Sequence, residues 1–312
     1  MIVFRDNRLT EVRYYLRPRG WSGPVRVPEE VRKCVGFVGY RSGAGERFVG
    51  TWFAIALELE PGVLMSYAVT AKHVLVRMHD SVLGPPLLRV NLKAGNAAWI
   101  ETRFDDWVYS TDEDVALIAL SRHEDWDLMS LATDLALTPA TIDAEGIGPG
   151  EEIFVTGMLA HGASPKKPYG AGRNVPIVRA GHIAAMRGEP VPTQSGPTDA
   201  YLVELHSMGG LSGSPVFVHL GTVRVREQTL LATETGWGVF RWMGLLHGHY
   251  DVGDADSAID AADIASVAST NSGIGVVVPA ERVLAVLDDP RFVEEREAEL
   301  EEWRRKGSAT LD

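Results

Sequence analysis

Cysteine is almost absent from this chain of 312 residues. Cys34 is the only one, so no internal disulfide can form and the fold must be held together by its apolar core. A chain of this kind is expected in a reducing compartment, which predicts a cytoplasmic location. The hydrophobic surroundings of Cys34, KCVGFVGY, favour a buried side chain over a nucleophile.

Long apolar runs and excess positive charge are also missing. The run VALIAL, residues 115–120, is typical of the longest ones and is too short to cross a membrane. Arg5 interrupts the apolar start of the chain, so no signal peptide is expected. The formal net charge of −12 argues against binding to nucleic acid or to an anionic membrane. Residues 1–33 are locally basic and form either a solvated arm or a docking patch for an acidic surface.

Short β-type segments are the main pattern that is present. Hydrophobic residues make up 45% of the sequence and charged residues 23%, as in ordinary globular proteins. Loops rich in glycine and proline separate the segments, which predicts an all-β barrel or sandwich fold. The clearest predicted strands are Val35–Tyr40, Thr51–Leu57, Leu64–Thr70, Val115–Leu120, Ile153–Thr156, Tyr201–Leu205, Pro215–Val218 and Gly275–Val278.

Residues 122–147 carry no strand signal and are interpreted as a linker between two β units. Helical signals are confined to the end of the chain, where Asp289 can cap a helix, Pro290 suits its first position and Gly307 can end it. The expected organisation is an N-terminal extension (1–34), a first β-barrel (35–130), a second β-barrel (131–288) and a C-terminal helix (289–312).

The stretch HSMGGLSGSPVF, residues 206–217, carries the first candidate for chemistry. A serine hydroxyl needs a base to become a nucleophile, and acyl transfer needs donors for the developing oxyanion. Flanking glycines let the N–H groups of Gly210 and Ser212 point into a common cavity, so these are the predicted donors. His73 ends a hydrophobic strand, where an imidazole can face a cleft. Asp114 precedes an apolar strand, where a carboxylate can accept from a ring N–H, and the three residues predict a catalytic triad.

These motifs, in the order His, Asp, Ser, resemble the trypsin-like (chymotrypsin-fold) serine proteases, and in particular their bacterial HtrA-like branch. The matching stretches are VTAKHV, DVALI and GLSGSP, with GTWFAIA and SGIGVVVPAERV in further agreement. The resemblance implies two six-stranded antiparallel Greek-key β-barrels, with His73 and Asp114 from the first and Ser212 from the second. It also implies an endopeptidase that hydrolyses polypeptides through an acyl-enzyme. The residues after Pro290 are too few for the PDZ domain of HtrA-type proteases, so none is expected.

One departure from the resemblance concerns how the activity of the enzyme is controlled. In digestive-type members an acidic residue precedes the serine and pairs with a newly cut N-terminus, whereas Leu211 stands here. The glycines of the loop also make it costly to order. One expectation is therefore a regulated enzyme whose loop becomes competent when a substrate or a protein partner binds. The other is that Leu211 packs into a small hydrophobic pocket and holds the loop ready without a partner.

The resemblance places His206 at the floor of the primary specificity pocket, and it places His247 and His249 in the strand of the pocket wall. No aspartate occupies the floor, so a preference for Arg or Lys is not expected. Imidazoles can instead hydrogen-bond a Glu, Gln or Asp side chain. In the alternative, these histidines face the barrel interior and the pocket takes small apolar residues.

No metal and no other cofactor is expected, because the remaining histidines lack metal-ligand spacing. A second function stays open beside the peptidase, since a complete triad can sit beside a collapsed oxyanion loop. This alternative is a catalytically weak or inactive protease-fold module that binds peptides or protein partners.

Overall fold

The computed structural model describes residues 27–43, 45–159, 169–170, 172–193, 196–205, 210–221, 223–226, 229–232, 239–251 and 271–308. The predicted N-terminal extension therefore lies outside the described residues up to residue 26. The helices are α1 Glu29–Arg32, α2 Lys72–Asp80, α3 Pro139–Glu145, α4 Ala280–Ala285 and α5 Pro290–Ser308, with 3-10 turns at Phe104–Asp106, Thr133–Leu135 and Val286–Asp288. None of these helices is both long and apolar enough to pass through a membrane.

The first β unit is one sheet with the strand order β5-β4-β1-β2-β3-β7-β6, to which β8 adds beside β2. Its six longer strands pair antiparallel, and β6 and β8 contain two residues each. The strands are β1 Val35–Ser42, β2 Gly45–Glu60, β3 Val63–Thr70, β4 Leu87–Asn91, β5 Ala97–Glu101, β6 Val108–Tyr109, β7 Ala116–Ala119 and β8 Leu131–Ala132.

The second β unit is a closed barrel with the order β10-β13-β18-β17-β14-β9. All its described neighbours pair antiparallel, and closure removes the exposed sheet edges. The strands are β9 Glu152–Gly157, β10 Ile177–Ala185, β13 Tyr201–Glu204, β14 Pro215–Leu220, β17 Val239–Asp251 and β18 Asn271–Pro279. Two small hairpins lie outside the barrel, β11 Val191–Thr193 with β12 Gly196–Thr198 and β15 Val223–Arg226 with β16 Thr229–Ala232.

The two units pack on each other through the middle of β2. Residues 50–56 of this strand are buried without the alternation of a half-exposed strand, because one face meets the first core and the other meets the second unit. Phe53 and Trp242 of β17 are both fully buried and meet edge to face, with ring centroids 5.6 Å apart. This contact fixes β2 against β17, and the candidate site lies along the same boundary.

The C-terminal helix begins at Pro290, as predicted, and ends at Ser308, one residue beyond the predicted Gly307. Asp289 accepts a hydrogen bond from the Arg291 N–H at 3.0 Å, the role of a capping residue. The ring of Phe292 packs against Tyr67 of β3 with centroids 5.0 Å apart, which anchors α5 on the first unit. The all-β prediction with a C-terminal helical extension is confirmed, and all eight predicted strands are present.

The expectation that helices occur only at the C-terminal end is wrong, because α2 and α3 lie in the middle of the chain. Helix α3 has the ordinary signals of a helix: Thr138 accepts from the Thr141 N–H at 3.2 Å, Pro139 is the first residue, and Gly146 ends it with a φ of +61°. These signals are visible in the sequence, so this helix could have been predicted from it.

Candidate active site

His73 lies in the first turn of α2, directly after β3. The residue before the helix, Ala71, has no side chain that can bind the free N–H groups of the first turn. Asp114, from a distant part of the chain, serves as the acceptor for these N–H groups instead. Its Oδ1 accepts the backbone N–H of His73 at 2.7 Å, and its carbonyl oxygen accepts that of Lys72 at 3.3 Å. A carboxylate at a helix N-terminus is also favoured by the helix dipole.

The same carboxylate orients the imidazole of His73. Asp114 Oδ2 lies 2.6 Å from His73 Nδ1, and the Asp114 side chain is 4% exposed. Since an ionised carboxylate only accepts hydrogen bonds, the proton of a neutral His73 sits on Nδ1 and the lone pair on Nε2. His73 is therefore held in the tautomer that can take a proton at Nε2.

Asp114 stays ionised despite its burial. Burial alone would raise its pKa, but hydrogen bonds from His247 and His73 outweigh this effect and lower the pKa from the ordinary 3.8 to about 2. The ionised form is therefore the one present at neutral pH, and it can stabilise a positive charge that forms on His73.

Ser212 lies in a tight turn that is wedged between the two units. Its carbonyl oxygen accepts the N–H of Thr51 in β2 at 3.0 Å. The next residue, Gly213, has a φ of +86°, and a Cβ there would lie 2.2 Å from the Thr51 oxygen and 3.1 Å from the Ala71 nitrogen. Only glycine permits this approach. Because Ala71 is two residues before His73, the turn that carries Ser212 lies beside the start of α2.

The hydrogen bonds around Ser212 fix the direction of its backbone N–H group. The carbonyl of Leu211 accepts from the Ser214 N–H at 3.0 Å, and the two ends of a trans peptide point in opposite directions. The N–H of Ser212 therefore points away from the turn, and no described residue accepts from it. The carbonyl of Gly210 accepts from the buried Thr51 hydroxyl at 3.2 Å. The peptide before Gly210 includes Gly209, which lies outside the described residues.

Leu211 is 1% exposed and packs into the core of the second barrel. Its Cδ2 would lie 2.8 Å from a Cβ placed on Gly157 of β9, so the absence of a side chain at Gly157 makes room for it. The position that carries an acidic residue in digestive-type proteases is thus held here by an apolar contact.

His247 makes a contact that its place in the sequence does not predict. Its Nδ1 lies 2.5 Å from Asp114 Oδ2, the oxygen that also accepts from His73. The rings of His73 and His247 meet edge to face with centroids 5.2 Å apart. The other two histidines of the predicted pocket are not placed, since His206 and the side chain of His249 lie outside the described residues.

Two imidazoles and a carboxylate are also residue types that bind zinc, and these three form the one such cluster in the described part of the chain. Their arrangement is that of hydrogen-bonded groups. Two atoms that bind the same tetrahedral Zn²⁺ are separated by about 3.3 Å, whereas the Nδ1 atoms lie 2.5 and 2.6 Å from the carboxylate oxygen. An ion bonded to all three would first have to break both hydrogen bonds.

Comparison with known proteins supports the fold. No protein-family model matches the chain, and no curated protein matches it. The protease domain of MamO from Magnetospirillum magneticum, in its apo form, matches with a TM-score of 0.50 and 16% identity over 83% of this chain and 98% of that one. Deg5 matches with a TM-score of 0.46 and 14% identity over 82% and 88% of the chains. An inactive mutant form of Rv3671c from M. tuberculosis gives 0.42 and 17% over 85% and 94%.

The match to the MamO protease domain agrees with the topology described above, a mainly antiparallel first unit packed on a closed six-stranded barrel. The chain therefore has the chymotrypsin fold, the fold of the trypsin-like serine proteases.

Proposed function

We propose that this protein is a serine endopeptidase that hydrolyses polypeptides through an acyl-enzyme, with Ser212, His73 and Asp114 as its triad. The observation that carries the proposal is the pair of hydrogen bonds that joins His73 to Asp114. The carboxylate binds both the ring and the backbone N–H of the histidine, at 2.6 and 2.7 Å. A histidine fixed in this tautomer beside a serine turn is the arrangement that activates a hydroxyl.

In the proposed reaction, Ser212 Oγ attacks the carbonyl carbon of the substrate while its proton passes to His73 Nε2. The tetrahedral intermediate then loses the amine, which takes that proton from His73, and an ester to Ser212 remains. A water molecule attacks the ester with His73 again acting as the base, and the acid is released as Ser212 regains its proton. Throughout, Asp114 stays ionised and stabilises the protonated imidazole.

The N–H of Ser212, from which no described residue accepts a hydrogen bond, supports its role as one oxyanion donor, and we propose Gly210 as the other. In the resting structure no hydrogen bond joins Ser212 Oγ to His73 among the described residues. Catalytic hydrogen bonds of this kind are commonly long in a free enzyme and shorten when substrate binds.

Single and combined substitutions test the triad. Ser212→Ala, His73→Ala and Asp114→Asn should each remove most peptide hydrolysis, and the losses should not add, because triad members act as one unit. Ser214→Ala is the matched control. Its buried Oγ has no hydrogen-bond partner in the described structure, and its backbone bonds are kept in alanine. A Ser212→Ala protein as active as the parent would rule out the mechanism.

The competing function is a protease-fold module that binds peptides or a protein partner without cleaving them. It predicts that the parent and Ser212→Ala proteins bind a peptide library equally and that neither releases cleaved products over long incubation. A peptidase instead depletes its best peptides, and Ser212→Ala retains them intact.

The packing of Leu211 supports a loop that is held ready without a partner. A buried leucine anchors the chain next to Ser212 without any ionic partner. We therefore propose that activity depends on this contact more than on an activating protein. Titrating the parent with a fluorophosphonate probe tests it: a near-complete labelled fraction without additions supports the proposal, and a small fraction that rises with a partner protein supports regulation.

Substrate preference and location remain proposals from the sequence. We propose a preference for Glu, Gln or Asp at the cleavage site, to be checked by peptide-library profiling, where a clear preference for Arg or Lys would refute it.

We also propose a cytoplasmic location. Cys34 is fully buried and donates to the Val31 oxygen, and burial raises the pKa of its thiol, which agrees with a structural cysteine rather than a reactive one.

A further inference from the structure

The carboxylate of Asp114 is shared by two histidines that come from different β units. His73 Nδ1 and His247 Nδ1 lie 2.6 and 2.5 Å from the same oxygen, Oδ2. We propose that His247 is a positioning residue of the peptidase, one that holds Asp114 and His73 in their working geometry. This inference rests on the proposed triad and adds a fourth side chain to it.

The hydrogen bonding of the buried carboxylate supports this role. Asp114 accepts three N–H groups: the ring and the backbone of His73, and the ring of His247. A carboxylate with only 4% of its side chain exposed needs such donors in place of water. With donors on both oxygens, the carboxylate plane cannot rotate without breaking at least one bond. The direction of the hydrogen bond to His73 is thereby fixed.

The packing of the two imidazole rings supports the same role. The His247 ring meets the His73 ring at 68° with centroids 5.2 Å apart. The side chains are 12% and 16% exposed, so each ring shields the other from solvent on this side. Contact with the His247 ring limits the orientations that the His73 ring can adopt. This matters because a general base must be held within a fraction of an ångström of its working position.

His247 is also linked through its own strand to the turn that carries the nucleophile. Its neighbour in β17, Leu246, accepts from the Gly213 N–H at 2.9 Å and donates to the Ser214 oxygen at 2.8 Å. The strand that presents His247 therefore also holds the turn on the C-terminal side of Ser212. A single strand connects the nucleophile to the carboxylate of the other unit.

This role differs from that of a residue that reads the substrate side chain. The Nδ1–H of His247 is already used by Asp114, so only Nε2 is open for other partners. A positioning residue affects kcat alike for every substrate and also the reaction with a small probe. A pocket residue affects KM and changes which peptides are preferred.

Two variants test the role in the active enzyme. His247→Leu removes the donor, and the loss of a hydrogen bond to a charged group should lower kcat by about 10- to 100-fold on every peptide tested. His247→Asn places an amide N–H near the position of Nδ1 and should recover most of this loss. His182→Leu, at an exposed histidine of β10, is the control and should match the parent. A His247→Leu protein that keeps kcat but changes its peptide preference would overturn the proposal.

A measurement without turnover separates this inference from the proposed function. In Ser212→Ala protein with isotope-labelled histidine, proton NMR should show two strongly downfield imidazole N–H signals from the bonds to Asp114, apart from any signal of His219, whose Nδ1 lies 2.8 Å from Glu152 Oε2. Adding His247→Asn should remove one signal and leave that of His73. If only one signal is present from the start, His247 does not donate to Asp114 and the inference is wrong, even if the parent is a peptidase. Two signals in Ser212→Ala protein, together with a parent protein that has no peptidase activity, would instead refute the proposed function.

Discussion

Removing the negative charge of Asp114 should change the stability of the protein in a way that depends on pH. The pKa of this group falls from 3.8 to about 2 in the folded protein, which corresponds to about 2 kcal/mol of folding free energy at neutral pH. Because the folded pKa is the lower one, this contribution is present above pH 4 and is lost as the pH falls toward 2. At pH 3 roughly half of it, about 1 kcal/mol, is already gone.

The assay compares the free energies of unfolding of the parent and Asp114→Asn by urea denaturation at about pH 6 and about pH 3. The difference between the two proteins should be about 1 kcal/mol smaller at the lower pH. Burial raises the pKa of the neighbouring Glu113, an effect of opposite sign, but it is common to both proteins and cancels in the difference. The exposed Asp112→Asn is the control and should stay within about 0.5 kcal/mol of the parent. A parent–variant difference that is equal at both pH values would refute the reasoning.

Three further substitutions test the packing around the site. Gly213→Ala should lower the free energy of unfolding by about 2–3 kcal/mol, because alanine is strained at a φ of +86° and its Cβ collides with the Thr51 oxygen; unchanged urea denaturation would contradict this geometry. Leu211→Ala should cost about 2–5 kcal/mol and also reduce the fraction labelled by an active-site probe, so full labelling would show that the buried contact does not hold the loop. Phe292→Ala should cost about 3–5 kcal/mol by thermal or urea unfolding, since the ring is 2% exposed against Tyr67, while peptidase activity below the transition should persist.

Much of the fold could be predicted because its strands are local patterns. Each of the eight predicted strands is a run of apolar and β-branched residues between turn signals, and each is present. The strands that were not predicted, such as β4 and β10, carry arginine or histidine within the run, which hides the pattern.

Helix α2 shows where local patterns fail. Its sequence KHVLVRMHD contains two valines and continues a strand, so it suggests further β structure. What stabilises it as a helix is the burial of Val74, Leu75 and Met78 on one side and a cap from Asp114, 41 residues away. Neither a cap from another segment nor the surface it packs against is visible in a short window of sequence.

The part of the site that lies in local sequence motifs could be predicted, and the part that depends on tertiary contacts could not. His73 and Asp114 stand in short motifs, and the structure brings their side chains into contact. The contact between His247 and Asp114 joins residues 133 positions apart, and it depends on how the closed barrel packs on the first sheet. The family resemblance places His247 in the pocket wall, which predicts a position near the site but does not indicate its partner.

The most direct measurement of the central claim is covalent labelling by a fluorophosphonate, which reacts with an activated serine whatever the natural substrate is. Intact-mass analysis of the parent protein should show one adduct, and peptide mapping should locate it on Ser212. Ser212→Ala protein should remain unlabelled, and His73→Ala should react far more slowly, since the hydroxyl then has no base. An unlabelled parent, or a parent and Ser212→Ala protein labelled to the same extent, would contradict the account.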